Sequence, residues 1–91
     1  MAEAAALSVT TGGTAQTLFE ANGIRKCLVF TNTSDEVQYV RIGNTNAADG
    51  VGIYCASSGG GFILQGDACP KGKVTMIGAT TGKKFYAYEG L

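Results

Sequence analysis

Histidine and tryptophan are missing from this chain, and a single proline interrupts its 91 residues. Without histidine it lacks the commonest general base, the usual partner of a serine or cysteine nucleophile, and the commonest zinc ligand. Net charge is missing as well, because seven basic and seven acidic side chains cancel. A domain that works on nucleic-acid phosphates gathers a basic excess on one face. Here the basic residues are scattered as Arg25, Lys26, Arg41, Lys71, Lys73, Lys83 and Lys84. They read as solvated side chains at strand edges and turns, where charge blunts unwanted edge pairing, and no nucleic-acid partner is expected. No apolar run approaches the ~18–20 residues of a membrane span, so no membrane partner is expected either. The first residues carry Glu3 with no basic residue ahead of it, unlike the basic opening and apolar middle of a secretion signal. The chain is therefore expected to stay where it is made unless a larger assembly carries it out.

The three cysteines, Cys27, Cys55 and Cys69, are too few and too widely spaced for a closed four-ligand metal site. Their odd number also prevents a complete disulfide framework within one chain. Cys27 reads as a small buried hydrophobe in mid-strand. Cys55 and Cys69 flank a glycine-rich stretch read as a hairpin, so a Cys55–Cys69 bond is one expectation and two reduced thiols the other. Asp49 and Asp67 belong to no motif, although a fold could bring them together. The run Gly59 to Gly61 precedes an apolar, strand-like segment and is not followed by the Lys-Ser/Thr of a phosphate loop; it reads as a mobile hairpin tip. No metal, no cofactor and no catalytic residue is expected, and the chain is not expected to be an enzyme.

What is present points to strands. Fourteen glycines accompany many Thr, Val, Ile and Tyr residues, while only residues 1–7 have helix-forming content, too short to hold a helix. Residues 25–32 (RKCLVFTN) alternate, with Cys27, Val29 and Thr31 on one face and Leu28 and Phe30 on the other. With both faces largely apolar, this strand should be central. Residues 37–43 (VQYVRIG) come next across a polar loop, which predicts a hairpin. Residues 84–89 (KFYAYE) set Phe85 and Ala87 against Tyr86 and Tyr88. Short segments near residues 53–55, 62–64 and 74–78 complete the pattern. The expected fold is all-β: a small antiparallel β-sandwich or jelly-roll-like barrel of about seven or eight short strands. Such a small domain buries only about 60–65 % of its unfolded surface, so a disulfide, a metal or a partner subunit would help to hold it. The tyrosines Tyr39, Tyr54, Tyr86 and Tyr88 suit cover of the sandwich ends, a protein interface, or a sugar-stacking platform.

From residue 25 onward the order of segments is also familiar. Residues 25–34 (RKCLVFTNTS) are similar to an RxxLxIxNxS opening strand, and residues 37–43 to a VYIGxG strand. A glycine turn then precedes the apolar triplet of residues 62–64. Residues 70–79 (PKGKVTMIGA) and 84–90 (KFYAYEG) resemble a PxGxIYxIxA…VxVxEG finish. Over residues 25–90 the chain thus resembles the small β-sandwich virion proteins of tailed bacteriophages, including head decoration, or cement, proteins. The cysteines depart from that pattern.

The resemblance implies a capsid-decorating protein on the outer surface of a bacteriophage head. Its partner would be the major capsid protein, and it would form a homo-oligomer, dimer or trimer. It would be located on the virion and assembled in the host cytoplasm. The alternative is a tail- or fibre-associated module binding a glycan or another virion protein. Residues 25–91 would be the sandwich core. Residues 1–24 would be an amino-terminal arm with one or two edge strands, pairing with a neighbouring chain by strand addition. The candidate interface is Leu7 and Val9 on the arm with Tyr39, Tyr86 and Tyr88 on the core.

Overall fold

In a computed structural model, which describes residues 2–4, 6–43, 46–48, 50–66 and 69–91, the chain is a β-sandwich with eight strands among those residues. They are β1 (Ala2–Glu3), β2 (Gln16–Phe19), β3 (Cys27–Asn32), β4 (Gln38–Ile42), β5 (Ile53–Cys55), β6 (Gly61–Gln65), β7 (Val74–Gly78) and β8 (Phe85–Gly90). One four-stranded sheet runs β1-β8-β3-β6 and the other β2-β7-β4-β5, with every pairing antiparallel. This strand order is that of a jelly roll, two Greek keys folded face to face.

The alternation seen in the sequence sets the packing. Leu28 and Phe30 of β3 and Phe85 and Ala87 of β8 point inward and are buried. The Phe30 ring stacks on Phe85 at 5.5 Å and on Phe62 at 6.0 Å. From the other sheet, Val40, Val74 and Met76 close the core. β3 lies between β8 and β6, in the central place that its two apolar faces call for.

Three expectations fail, each for a physical reason. Residues 25–32 and 37–43 do not form a hairpin, because β3 and β4 belong to different sheets. The chain crosses between the sheets on a buried polar knot. Asn32 donates to the carbonyls of Glu36 (2.6 Å) and Cys55 (3.0 Å), and its Oδ1 accepts from the Ser34 backbone N–H and hydroxyl.

The glycine run is likewise no hairpin tip. β5 and β6 also lie in opposite sheets, and the connecting turn is bound to that knot: Gly59 donates to the Asn32 carbonyl, Ser58 to that of Ser34, and Asn32 to that of Gly60. A Cβ at Gly61 would collide with the Phe30 carbonyl, so the close approach itself requires glycine.

Residues 1–24, finally, are no arm. β1 pairs with β8 and β2 with β7, each as an edge strand of the chain's own sandwich. Ala4, Val9, Leu18 and Phe19 are part of the core. Both edge strands find a partner strand within their own chain.

Candidate interaction surface

Arg25 is not solvated, as its sequence position suggests, but 0 % exposed. At the end of the sandwich formed by the β2–β3 and β6–β7 loops, its Nε donates to Glu89 Oε1 at 2.8 Å. Its Nη1 donates to the carbonyls of Pro70 (3.0 Å) and Gly72 (2.8 Å), and Nη2 to that of Glu20 (2.9 Å). The guanidinium stands 6.0 Å from the centre of the Phe19 ring. Glu89, Pro70 and Gly72 lie more than forty residues along the chain, so no local pattern announces them. The role is structural: four hydrogen bonds from one planar fork tie the end of β2, β8 and the β6–β7 loop together.

The cysteines divide. Cys55 is fully buried in β5, and burial pushes its thiol up to about 11, which keeps it protonated and inert. Cys69 is buried in the β6–β7 loop near the Arg25 knot, while Cys55 sits beside Asn32 at the opposite end of the sandwich. At about 3.3 Å per strand residue, the length of β3 separates them far beyond disulfide reach. All three thiols are free, so the Cys55–Cys69 bond is not formed. Cys27 opens β3 on its outer face and is half-buried rather than enclosed. Asp49 and Asp67 lie outside the described residues. Among the described residues no cluster of His, Cys, Asp or Glu could hold a metal ion, and no helix is long and apolar enough to cross a membrane.

The candidate interface residues do not share one surface. Val9 is 1 % exposed, bonded through its backbone to Lys83 and Gly82, and cannot fill a partner's pocket. Leu7 is exposed beside Phe85, whose backbone N–H donates to the Leu7 carbonyl. Tyr39 stands on the outer face of the β2-β7-β4-β5 sheet, edge-on to Tyr54 at 5.8 Å. Tyr86 and Tyr88 stand on the outer face of the opposite sheet. Partial burial, then the charge of Glu3 and a hydrogen bond to it, raise the Tyr86 phenol above its ordinary value.

Two surfaces remain as candidates. The first is the outer face of the β1-β8-β3-β6 sheet. Register sets Tyr88, Val29 and Ile63 directly across from one another, with Tyr86 and Thr31 in the next row. Ile63 is 62 % exposed and Tyr86 39 %. The outward positions of β3, β6 and β8 carry no charged side chain, and Glu3 stands at the β1 rim. Sequence reasoning finds Tyr86 and Tyr88 here but misses Val29 and Ile63, because only the β3–β6 pairing brings them together.

The second is an open groove of about 860 Å³ on the other sheet, between the β1–β2 loop and the residues beyond β4. Tyr39, Ile77, Val37 and Ala47 line it. Ala47 is held over the sheet by its backbone N–H, which donates to the buried Thr75 hydroxyl at 2.8 Å. Glu36 is also among the lining residues, and its Oε1, buried beneath the surface, takes no hydrogen bond from the described residues. No family model matches the chain, and no curated protein or solved structure matches it.

Proposed function

We propose that this chain is a non-catalytic structural protein of a bacteriophage virion, a decoration or cement protein that binds the outer surface of the head and stabilises it. The observation that carries this reading is the outer face of the β1-β8-β3-β6 sheet, which is uncharged on β8, β3 and β6 and bears Glu3 only at its β1 rim. A monomer this small has little reason to keep Tyr88, Val29 and Ile63 in one solvent-facing row unless a partner covers them. Aromatic and aliphatic side chains at the centre of a patch, with charge kept to its rim, are the composition of an interface core. The major capsid protein is the partner that the sequence resemblance implies. The eight-stranded jelly roll fits without deciding the matter, since capsid and lectin domains share it and fold alone does not fix function.

Cryo-electron microscopy of purified virions tests the proposal. The expected result is repeated density for this domain on the outside of the head, with the Tyr88 face toward the capsid. Tyr88→Ser and Val29→Thr should each lower its occupancy while the isolated domain still melts cooperatively. Absence from the virion, or unchanged occupancy in both variants, would overturn it. The groove beside the Tyr39–Tyr54 pair favours a second reading, a glycan-binding virion module, because an aromatic ring at the edge of an open cavity can stack on a sugar. Chemical-shift changes of groove residues on sugar titration would support it, and their absence across neutral and acidic sugars would end it.

A further inference from the structure

A sheet edge is a row of unpaired N–H and C=O groups, and folded chains protect such edges by shortness, charge, proline or a bulge. Three of the four edges here are protected. β1 has two residues and carries Glu3, β2 has a register shift between Thr17 and Phe19, and β5 has three residues. The fourth, β6, has none of these protections. Gly61–Gln65 pairs with β3 in unbroken register over its whole length. Residues 50–66 contain neither a charged residue nor a proline.

We infer that β6 is a self-association edge, and that its occupant is β6 of a second copy of this chain, added antiparallel about a two-fold axis at Ile63. The hydrogen-bond phase of the strand is fixed at both ends. Gly66 donates to the Lys26 carbonyl and Asn32 donates to that of Gly60. In an antiparallel ladder the even-numbered residues therefore bond to β3, and Gly61, Ile63 and Gln65 turn their backbone groups to the edge, where no described strand pairs with them.

An axis at Ile63 brings all three into register with the partner: Ile63 opposite Ile63, and Gly61 opposite Gln65. On the inner side the same axis sets Phe62 against the partner's Leu64. Both of these residues are only half-buried and packed against the core, so the two cores would become continuous. On the outer side the row Tyr88–Val29–Ile63 would meet its own copy and run uninterrupted across an eight-stranded sheet.

The pairing is isologous: it uses the same edge in both copies, and so it stops at a dimer rather than growing into a fibre. Exposed Ile53 belongs to β5, which contacts β6 at the same edge of the sandwich, and it extends the apolar strip. A strip of this size suits micromolar rather than nanomolar association. Such a dimer requires no virion partner, because both of its surfaces belong to this chain.

Sedimentation equilibrium of the full chain tests it. The expected mass rises from 9.3 kDa toward twice that value across the micromolar range. Ile63→Lys should weaken association by roughly tenfold or more. Gln65→Pro should do the same, since it removes an N–H that faces only the free edge. Ile24→Lys, at an exposed position on the β2–β3 loop, should leave association unchanged.

Register is tested separately by oxidation in a Cys27→Ser background. Ile63→Cys should cross-link to its own copy. Gln65→Cys should not, because its counterpart would lie roughly 13 Å away along the strand. A chain that stays monomeric, a dimer indifferent to Ile63→Lys, or equal cross-linking at both positions would overturn the inference.

Discussion

Replacing Arg25 by methionine removes the guanidinium and keeps a side chain of similar length. Glu89 would be left as a carboxylate with 15 % of its side chain exposed and without the guanidinium that now faces it. The carbonyls of Glu20, Pro70 and Gly72 would lose the donor that now joins them. Breaking a buried pair from one side costs about 3–5 kcal/mol, mostly for the charge left behind. At about 0.05–0.15 kcal/mol per residue, a chain of this length has roughly 5–14 kcal/mol of stability in all. The substitution thus removes about a fifth of the total or more. At about 4–8 °C per kcal/mol for a domain of this size, the melting temperature should fall by roughly 12–40 °C. Thermal melting followed by circular dichroism is the assay. Pairing Arg25→Met with Glu89→Leu should recover much of the loss, because no unpaired charge then remains. A single variant melting within a few degrees of the parent, or a double variant no better than the single, would refute the reasoning.

Other consequences are open to measurement. Val9→Ala should cost about 1.5–3 kcal/mol in a urea melt, whereas a Val9 projecting from a free arm would cost almost nothing. Alkylation of the native protein should reach Cys27 well before Cys55, and oxidation should leave no Cys55–Cys69 bond detectable by mass under non-reducing conditions. In an absorbance titration, the Tyr86 phenol should ionise above the ordinary range, and Glu3→Gln should bring it down. Because the folded value is raised, the stability linked to Tyr86 is present below the ordinary phenol range and is lost as pH rises through the raised value.

The fold is legible where side chains obey a two-residue period. Leu28 and Phe30, or Phe85 and Ala87, can only bury themselves on one face, and their alternation fixes both strands and their orientation. The connections between strands are less legible. A short polar loop serves a hairpin or a crossing between sheets equally well, and the choice here rests on Asn32 and Ser34, whose polar atoms find partners inside the molecule. Arg25 misleads for a related reason: a lone arginine before a strand looks solvated until loops more than forty residues away supply its acceptors. Of the candidate surface, the outward tyrosines of β8 can be seen from their own strand, whereas the Val29–Ile63 row exists only through long-range register.

The jelly-roll order also governs how the chain can come to be folded. β1 and β3 both pair with β8, and β2 and β4 both pair with β7, so the sheets lean on strands synthesised after the other six. Until residues 74–90 emerge from the ribosome, β1 and β2 have no strand to pair with, and β3 and β4 have only β6 and β5, which belong to opposite sheets. Such non-local wiring places a domain among the slow folders, on the order of milliseconds to seconds. Throughout that interval the uncharged β6 strand lies open to any other chain in the same condition. At high expression the same edge should therefore favour tangled oligomers, and slowed synthesis or lower temperature should raise the soluble yield.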